Sequence, residues 1–194
     1  MRFLKLPLLL LTFVFLSILA CCCSTAPKAY EPSAKGKVVE KNLPELKAYE
    51  TSCEGNYYNN SNRLFRRLFN YLNSNKLSMT IPIEVSVEPA KMIFIINDNE
   101  TDKKLADSDL VTVITLPPRK VLSYGMTGRY SQENFNKGKE ELEKYLLQNP
   151  QYQKDGDFFA VYWDNPMVVP PFMRRSEISV PIKKKLSTDK ELTN

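Results

Sequence analysis

The chemistry open to this chain is bounded first by what it lacks. Histidine is absent from its 194 residues. That removes every nucleophilic pair with an imidazole base and every imidazole-ligated metal or haem iron. The chain also has no CxxC, GxG or GxSxG, so dithiol redox, dinucleotide and hydrolase-elbow chemistries lose their usual support. Glu140, Glu141 and Glu143 are close in sequence, but on a helix they read as a solvated face rather than an acid/base pair. Arg63, Arg66 and Arg67 fall on the polar side of a helix, where a solvated face is one reading, and Arg174-Arg175 reads as an anchor of the last loop. The net charge of +5 is modest, and no basic stripe is interleaved with aromatics, so no nucleic-acid partner is expected.

Four cysteines remain, three of them together. Arg2 and Lys5 precede the apolar run Leu6 to Ala20, a charged region followed by a stretch shorter than the ~20 residues that span a bilayer. The run ends Ile18-Leu19-Ala20-Cys21, which resembles a bacterial lipobox. That resemblance implies a signal peptide over 1–20 and a lipid anchor on Cys21, with acyl chains on its thiol and amine. Each buried methylene contributes ~0.8 kcal/mol, so two chains or more hold a protein on a membrane stably. The expected location is the bacterial cell envelope, facing the periplasm or the cell surface. Residues 21–36 read as a lipidated N-terminus and an extended linker. Cys53 reads as a small buried hydrophobe, with a disulfide to Cys22 or Cys23 as the alternative.

Hydrophobic content of 43% and charged content of 25% are those of a globular chain. Leu64, Phe65, Leu68, Phe69 and Leu72 fall on one helical face, and Arg63, Arg66, Arg67 and Asn70 fall on the other. Ser61 is placed as an N-cap. After Asn73-Ser74-Asn75 the period becomes 2, and Met79 to Glu88 reads as one long half-buried strand interrupted at Pro82. The body also carries a duplication. Leu43-Pro44, Gly55 and Tyr57 recur as Leu116-Pro117, Gly128 and Tyr130, each 73 positions on.

In the first unit, strands near Val38 to Lys41 and Glu45 to Cys53 precede the helix, and Met92 to Ile96 follows the long strand. The second has strands Leu110 to Thr115 and Arg119 to Thr127, a helix capped by Ser131 and ended by Asn149-Pro150, then strands Asp157 to Trp163 and Glu177 to Ile182. Asn97 to Asp109 reads as a polar loop. These elements predict an α+β domain over 37–183, largely antiparallel with two helices, and a frayed tail over 184–194.

Three motifs resemble the SOUL haem-binding proteins. They are Phe65 to Leu72 with Lys76 to Ile83, Ala160 to Pro166, and Pro170 to Glu177. The resemblance implies a duplicated strand/helix unit that forms a distorted eight-stranded antiparallel sheet or barrel flanked by two helices. It also implies binding of haem or another tetrapyrrole between the first helix and the loop joining the last two strands. Carried onto this chain, the ligand-binding residues are Arg63, Leu64, Arg67, Leu68, Tyr71, Met167, Val168, Val169 and Phe172. The leucines, Tyr71 and the loop residues would supply an apolar cleft, and Arg63 or Arg67 the partners of the propionates. Without histidine, an iron has only Met, Tyr or Cys, or no protein ligand.

The expected function is therefore a membrane-anchored lipoprotein that binds a tetrapyrrole. The alternative is an envelope interaction or structural lipoprotein that keeps the fold without the ligand. No catalytic constellation is matched, so no enzymatic activity is expected. Oligomeric state is open.

Overall fold

The computed structural model of the chain describes residues 28–100 and 106–185. The leader, Cys21 to Cys23 and residues 186–194 lie outside the described residues. The first unit runs β1 (Val38–Leu43), β2 (Leu46–Cys53), α1 (Tyr57–Ser74), β3 (Ile83–Ser86) and β4 (Ala90–Ile95). The second runs β5 (Thr112–Leu116), β6 (Arg119–Thr127), α2 (Gln132–Gln148), a short β7 (Tyr152–Lys154), β8 (Phe159–Tyr162) and β9 (Arg175–Lys184). Only β7 has no counterpart in the first unit.

The strand order is β1-β6-β9-β8-β3-β4-β2-β5, all antiparallel, with β7 on β9. Exchanging the two units reverses this order onto itself, so the sheet has a pseudo-two-fold axis between β3 and β8. The duplication read at a spacing of 73 is thus a structural one. The strands on either side of each Leu-Pro step do not pair with each other. β1 pairs with β6 of the other unit, and β2 with β5. Leu43 and Leu46 are three residues apart, which spans at most ~11 Å of extended chain, yet β1 and β2 stand near opposite ends of the strand order. The sheet must curl to bring its two edges together, and it forms an eight-stranded half-barrel.

Both helices start from glycines in the left-handed region, Gly55 (φ 85°) and Gly128 (φ 144°), where a side chain would be strained. The α1 cap is not Ser61 but Asn56, whose side chain accepts from the Tyr58 amide at 2.9 Å. The helix begins one turn earlier because Tyr57 extends the buried stripe of Leu64, Leu68 and Leu72. For α2 the cap is Ser131, which accepts from the Asn134 amide. α1 packs on β2 and β4, and α2 on β6 and β9. The core between them includes Phe94, Leu122, Phe135, Leu142, Ile178 and Val180. In α2, Gly138 lets the helix approach β9, because a Cβ there would lie 2.3 Å from Ile178.

The long strand expected over Met79 to Glu88 is shorter, since its regular ladder runs only over Ile83–Ser86. Part of its polar side, Thr80, Pro82 and Glu84, is buried as well. Thr80 bonds to the Ile95 carbonyl, and Glu84 is enclosed. The cover is residues 28–36, read above as part of a linker. They cross the sheet face turned away from the helices, bridging Ile81 at Lys28 and Gly125 at Lys35. A Cβ on Gly125 would lie 2.5 Å from the Ala34 carbonyl oxygen, so only glycine lets this strap close.

Beneath the strap, Glu84 is held by Arg119 at 2.6 Å and Tyr30 at 2.9 Å. Burial raises its carboxyl above the usual range, and the Arg119 charge opposes that. Glu177 is held by Lys41, Ser33 and the Trp163 indole. Lys184, read above as the first residue of a frayed tail, belongs to β9 and pairs with Tyr152 of β7. Cys53 ends β2 half-buried and has no disulfide partner among the described residues; Cys22 and Cys23, the alternative partners, lie outside them.

Candidate ligand-binding groove

The outward face of α1 carries Asn59, Asn62, Arg63, Arg66, Arg67, Asn70 and Tyr71. Their spacing of three and four places them in one stripe. Residues 106–111 lie across this stripe and enclose a surface groove of about 980 Å³, lined also by Leu110 and Val111. The segment is tied down at both ends. Tyr71 donates its hydroxyl to the Ala106 carbonyl at 2.6 Å, and Thr51 donates to the Leu110 carbonyl at 2.7 Å. Burial raises the Tyr71 phenol, while the bond to Ala106 lowers it.

The electrostatics of the groove are set by the arginines. Arg67 donates to the Ser52 carbonyl at 3.0 Å and Arg63 to the Asn60 side chain at 2.9 Å. Among the described residues, none of Arg63, Arg66 and Arg67 has a carboxylate in ion-pair range. Three unneutralised guanidiniums on one face favour an anionic ligand. Asp107 and Asp109 stand on the opposite lip, and Leu110 gives it an exposed apolar edge. The arrangement suits a flat molecule that is apolar over its body and carries carboxylates at one edge.

The structure brings together Arg63, Arg67 and Tyr71 of the sequence-named residues. Leu64 and Leu68 are 0% exposed and lie under the helix, in the core. Met167, Val168, Val169 and Phe172 are on the β8–β9 loop, and none of them lines the groove. Between that loop and α1 stand three tyrosines. Tyr58 and Tyr162 share a hydroxyl–hydroxyl bond at 3.0 Å, and the Tyr130 ring stacks on Tyr162 at 3.9 Å. Burial lifts the Tyr58 phenol to about 12, and raises Tyr130 and Tyr162 as well. All three stay protonated near neutral pH and pack against one another there.

Sequence reasoning missed this tyrosine cluster, because Tyr58, Tyr130 and Tyr162 come from three separate elements. It also missed the part of residues 106–111 in the groove, since nothing in a polar loop shows where it will lie. Arg66 had a readable signal, as it continues the Arg63 and Asn70 row at helical spacing.

The described residues form a curled antiparallel sheet built from two copies of a strand/helix unit, with a cationic groove along one helix. The SOUL heme-binding protein family matches residues 28–181 of the chain, and the chain belongs to that family. No curated protein matches. Among solved structures, the EcmrR C-terminal domain is similar with a TM-score of 0.63 at 13% identity, covering 77% of this chain and 98% of that one. The same fold is seen in the EcmrR–DNA complex, with a TM-score of 0.63 at 12% identity, covering 77% of this chain and 58% of that one. A protein described as a hydrolase from Listeria innocua is similar with a TM-score of 0.53 at 13% identity, covering 79% of this chain and 94% of that one. At such identities these likenesses concern the fold alone.

Proposed function

We propose that this chain binds haem or a related tetrapyrrole in the groove along α1, as a bacterial envelope lipoprotein anchored through Cys21. The observation that carries the ligand reading is the set Arg63, Arg66 and Arg67, unpaired with any described carboxylate, beside the apolar edge of Leu110. The arginines would take the propionates, and Leu110 with the Tyr71 ring would cover the macrocycle. Iron, where the ligand carries it, supplies redox or gas-binding chemistry. Among the described residues the groove lining contains no Cys or Met, and the Tyr71 hydroxyl is already donated to Ala106. The donor set therefore fits the periphery of a porphyrin and not its metal.

Haemin titrated into the protein should give a saturable Soret shift. Arg66→Glu together with Arg67→Glu should weaken binding about tenfold to hundredfold or more, since a hydrogen bond to a charged group contributes about 1.5–3 kcal/mol. Iron-free protoporphyrin should bind with similar affinity. A linear, non-saturable change, or an unaltered affinity in the double variant, would overturn the groove assignment.

One observation favours a second reading, an envelope interaction lipoprotein without tetrapyrrole. Tyr58, Tyr130 and Tyr162 occupy the space between α1 and the β8–β9 loop, where the family resemblance puts a ligand. The same titration separates the two readings. The anchor has its own test. Incorporation of labelled palmitate should be lost in Cys21→Ala, and its retention would remove Cys21 from that role.

A further inference from the structure

The β8–β9 loop presents Pro166-Met167-Val168-Val169-Pro170-Pro171-Phe172-Met173, and four of its apolar side chains stand in solvent. Met167 is 83% exposed and Phe172 76%, with Val168 and Met173 also exposed. The loop is held in this shape. Arg174 donates to the Val169 carbonyl at 2.8 Å and to the Pro166 carbonyl at 2.5 Å. At the loop's base, Arg175 closes on Asp164 at 2.6 Å. A fixed, outward-facing apolar tip marks a contact surface rather than a frayed segment.

Two further features say what covers it. Cations ring its base. The Gly128 amide donates to the Arg174 carbonyl, which sets exposed Arg129 beside the loop. Arg129 has no described carboxylate in ion-pair range. The second feature is where the N-terminal segment joins the fold. The β3–β8 register sets Ile83 opposite Tyr162, so Ile81 and Asp164 share one end of the sheet. Lys28 bridges to Ile81, and the Ala29 amide donates to the Ile81 carbonyl. The 27 preceding residues, with the apolar run Leu6 to Ala20 and Cys21, therefore join the domain at the end from which the loop projects.

We propose that Met167, Val168, Phe172 and Met173 form a lipid-docking tip that seats the domain on an anionic membrane surface, with Arg129 and Arg174 at headgroup level. The proposal rests on the membrane-anchored reading above and gives it an orientation. Apolar side chains of interfacial elements sit ~5–10 Å into the headgroup–acyl boundary, and nearby cations add attraction to anionic lipid.

The test uses the full chain carrying Phe172→Trp, mixed with phosphatidylethanolamine/phosphatidylglycerol vesicles that contain phosphatidylcholine brominated at shallow acyl positions. The unsubstituted chain gives the background of buried Trp163, and Leu147→Trp, on an exposed site of α2, serves as the control. The introduced indole at 172 should be quenched by the bilayer bromines severalfold more than the one at 147, and Arg129→Glu should reduce the effect. Equal quenching at the two sites, or no vesicle binding, overturns the proposal. So does a concentration-dependent shielding of the 172 indole without vesicles, which would assign the tip to a second copy of the chain. The anchor can fail separately. Palmitate retained by Cys21→Ala with the 172 indole still quenched removes the anchor and keeps the tip. Palmitate lost with that indole in water does the reverse.

Discussion

Lys41→Ala should destabilise the protein by about 3–5 kcal/mol, the range for leaving one member of a buried ion pair without its partner. Glu177 is only 1% exposed, and the Lys41 ammonium lies 2.7 and 2.9 Å from its two oxygens. The Ser33 hydroxyl and the Trp163 indole also bond it, each at 3.1 Å, but neither carries a compensating charge. The substitution therefore strands a carboxylate beneath the strap. Denaturant midpoints measure the loss. A double variant, Lys41→Met with Glu177→Gln, should lose less than Lys41→Ala alone, because a neutral amide still accepts from Ser33 and Trp163. A Lys41→Ala loss below about 1 kcal/mol would show that water reaches the pair and screens it like a surface bridge.

Leu68→Ala should cost about 2–5 kcal/mol, as expected for a leucine removed from a packed interior. Leu68 is fully buried between α1 and the sheet, in the cluster that includes Leu64, Leu72 and Phe94. Its side chain faces away from the groove that Arg63, Arg66 and Arg67 line. Haemin affinity in the folded variant should therefore stay close to that of the unsubstituted protein. The opposite pairing is expected of Arg66→Glu with Arg67→Glu, with little stability change and a large loss of affinity. A Leu68→Ala protein of normal stability but weakened haemin binding would move the site under the helix.

The duplication, the antiparallel α+β class and the helix that bears the groove were legible because each rests on local periodicity, whereas the curl of the sheet was implied only by the family resemblance. The 3.6-residue stripe of α1 and the recurrence of Leu-Pro and Gly at a fixed interval needed no tertiary information. That Arg63 and Arg67 share one face of α1 was also legible, because residues on one face of a helix share that face wherever it packs, whereas Tyr71 was named through the family resemblance. The other walls of the site were not. Met167 to Phe172 are apolar and follow a strand, which is equally consistent with lining a pocket and with projecting from the fold. The folded loop, in which Arg174 bonds Val169 and Pro166, presents them outward. Leu64 and Leu68 share a helix with the arginines, but a helix has two sides and they occupy the inner one.

By itself, the sequence determined that imidazole chemistry is closed to this protein, that its body is a doubled strand/helix unit, and that one helix presents a cationic face. Those statements depend on residue identity and near-neighbour spacing. The tertiary structure decided what lies on each side of these elements. It laid residues 28–36 across a face that alternation marks as solvated, burying Glu84 and Glu177 with Arg119 and Lys41. It placed three distant tyrosines between α1 and the β8–β9 loop, and it set the groove against residues 106–111 instead. Each outcome is a contact between segments tens of residues apart, and local pattern carries no record of such contacts.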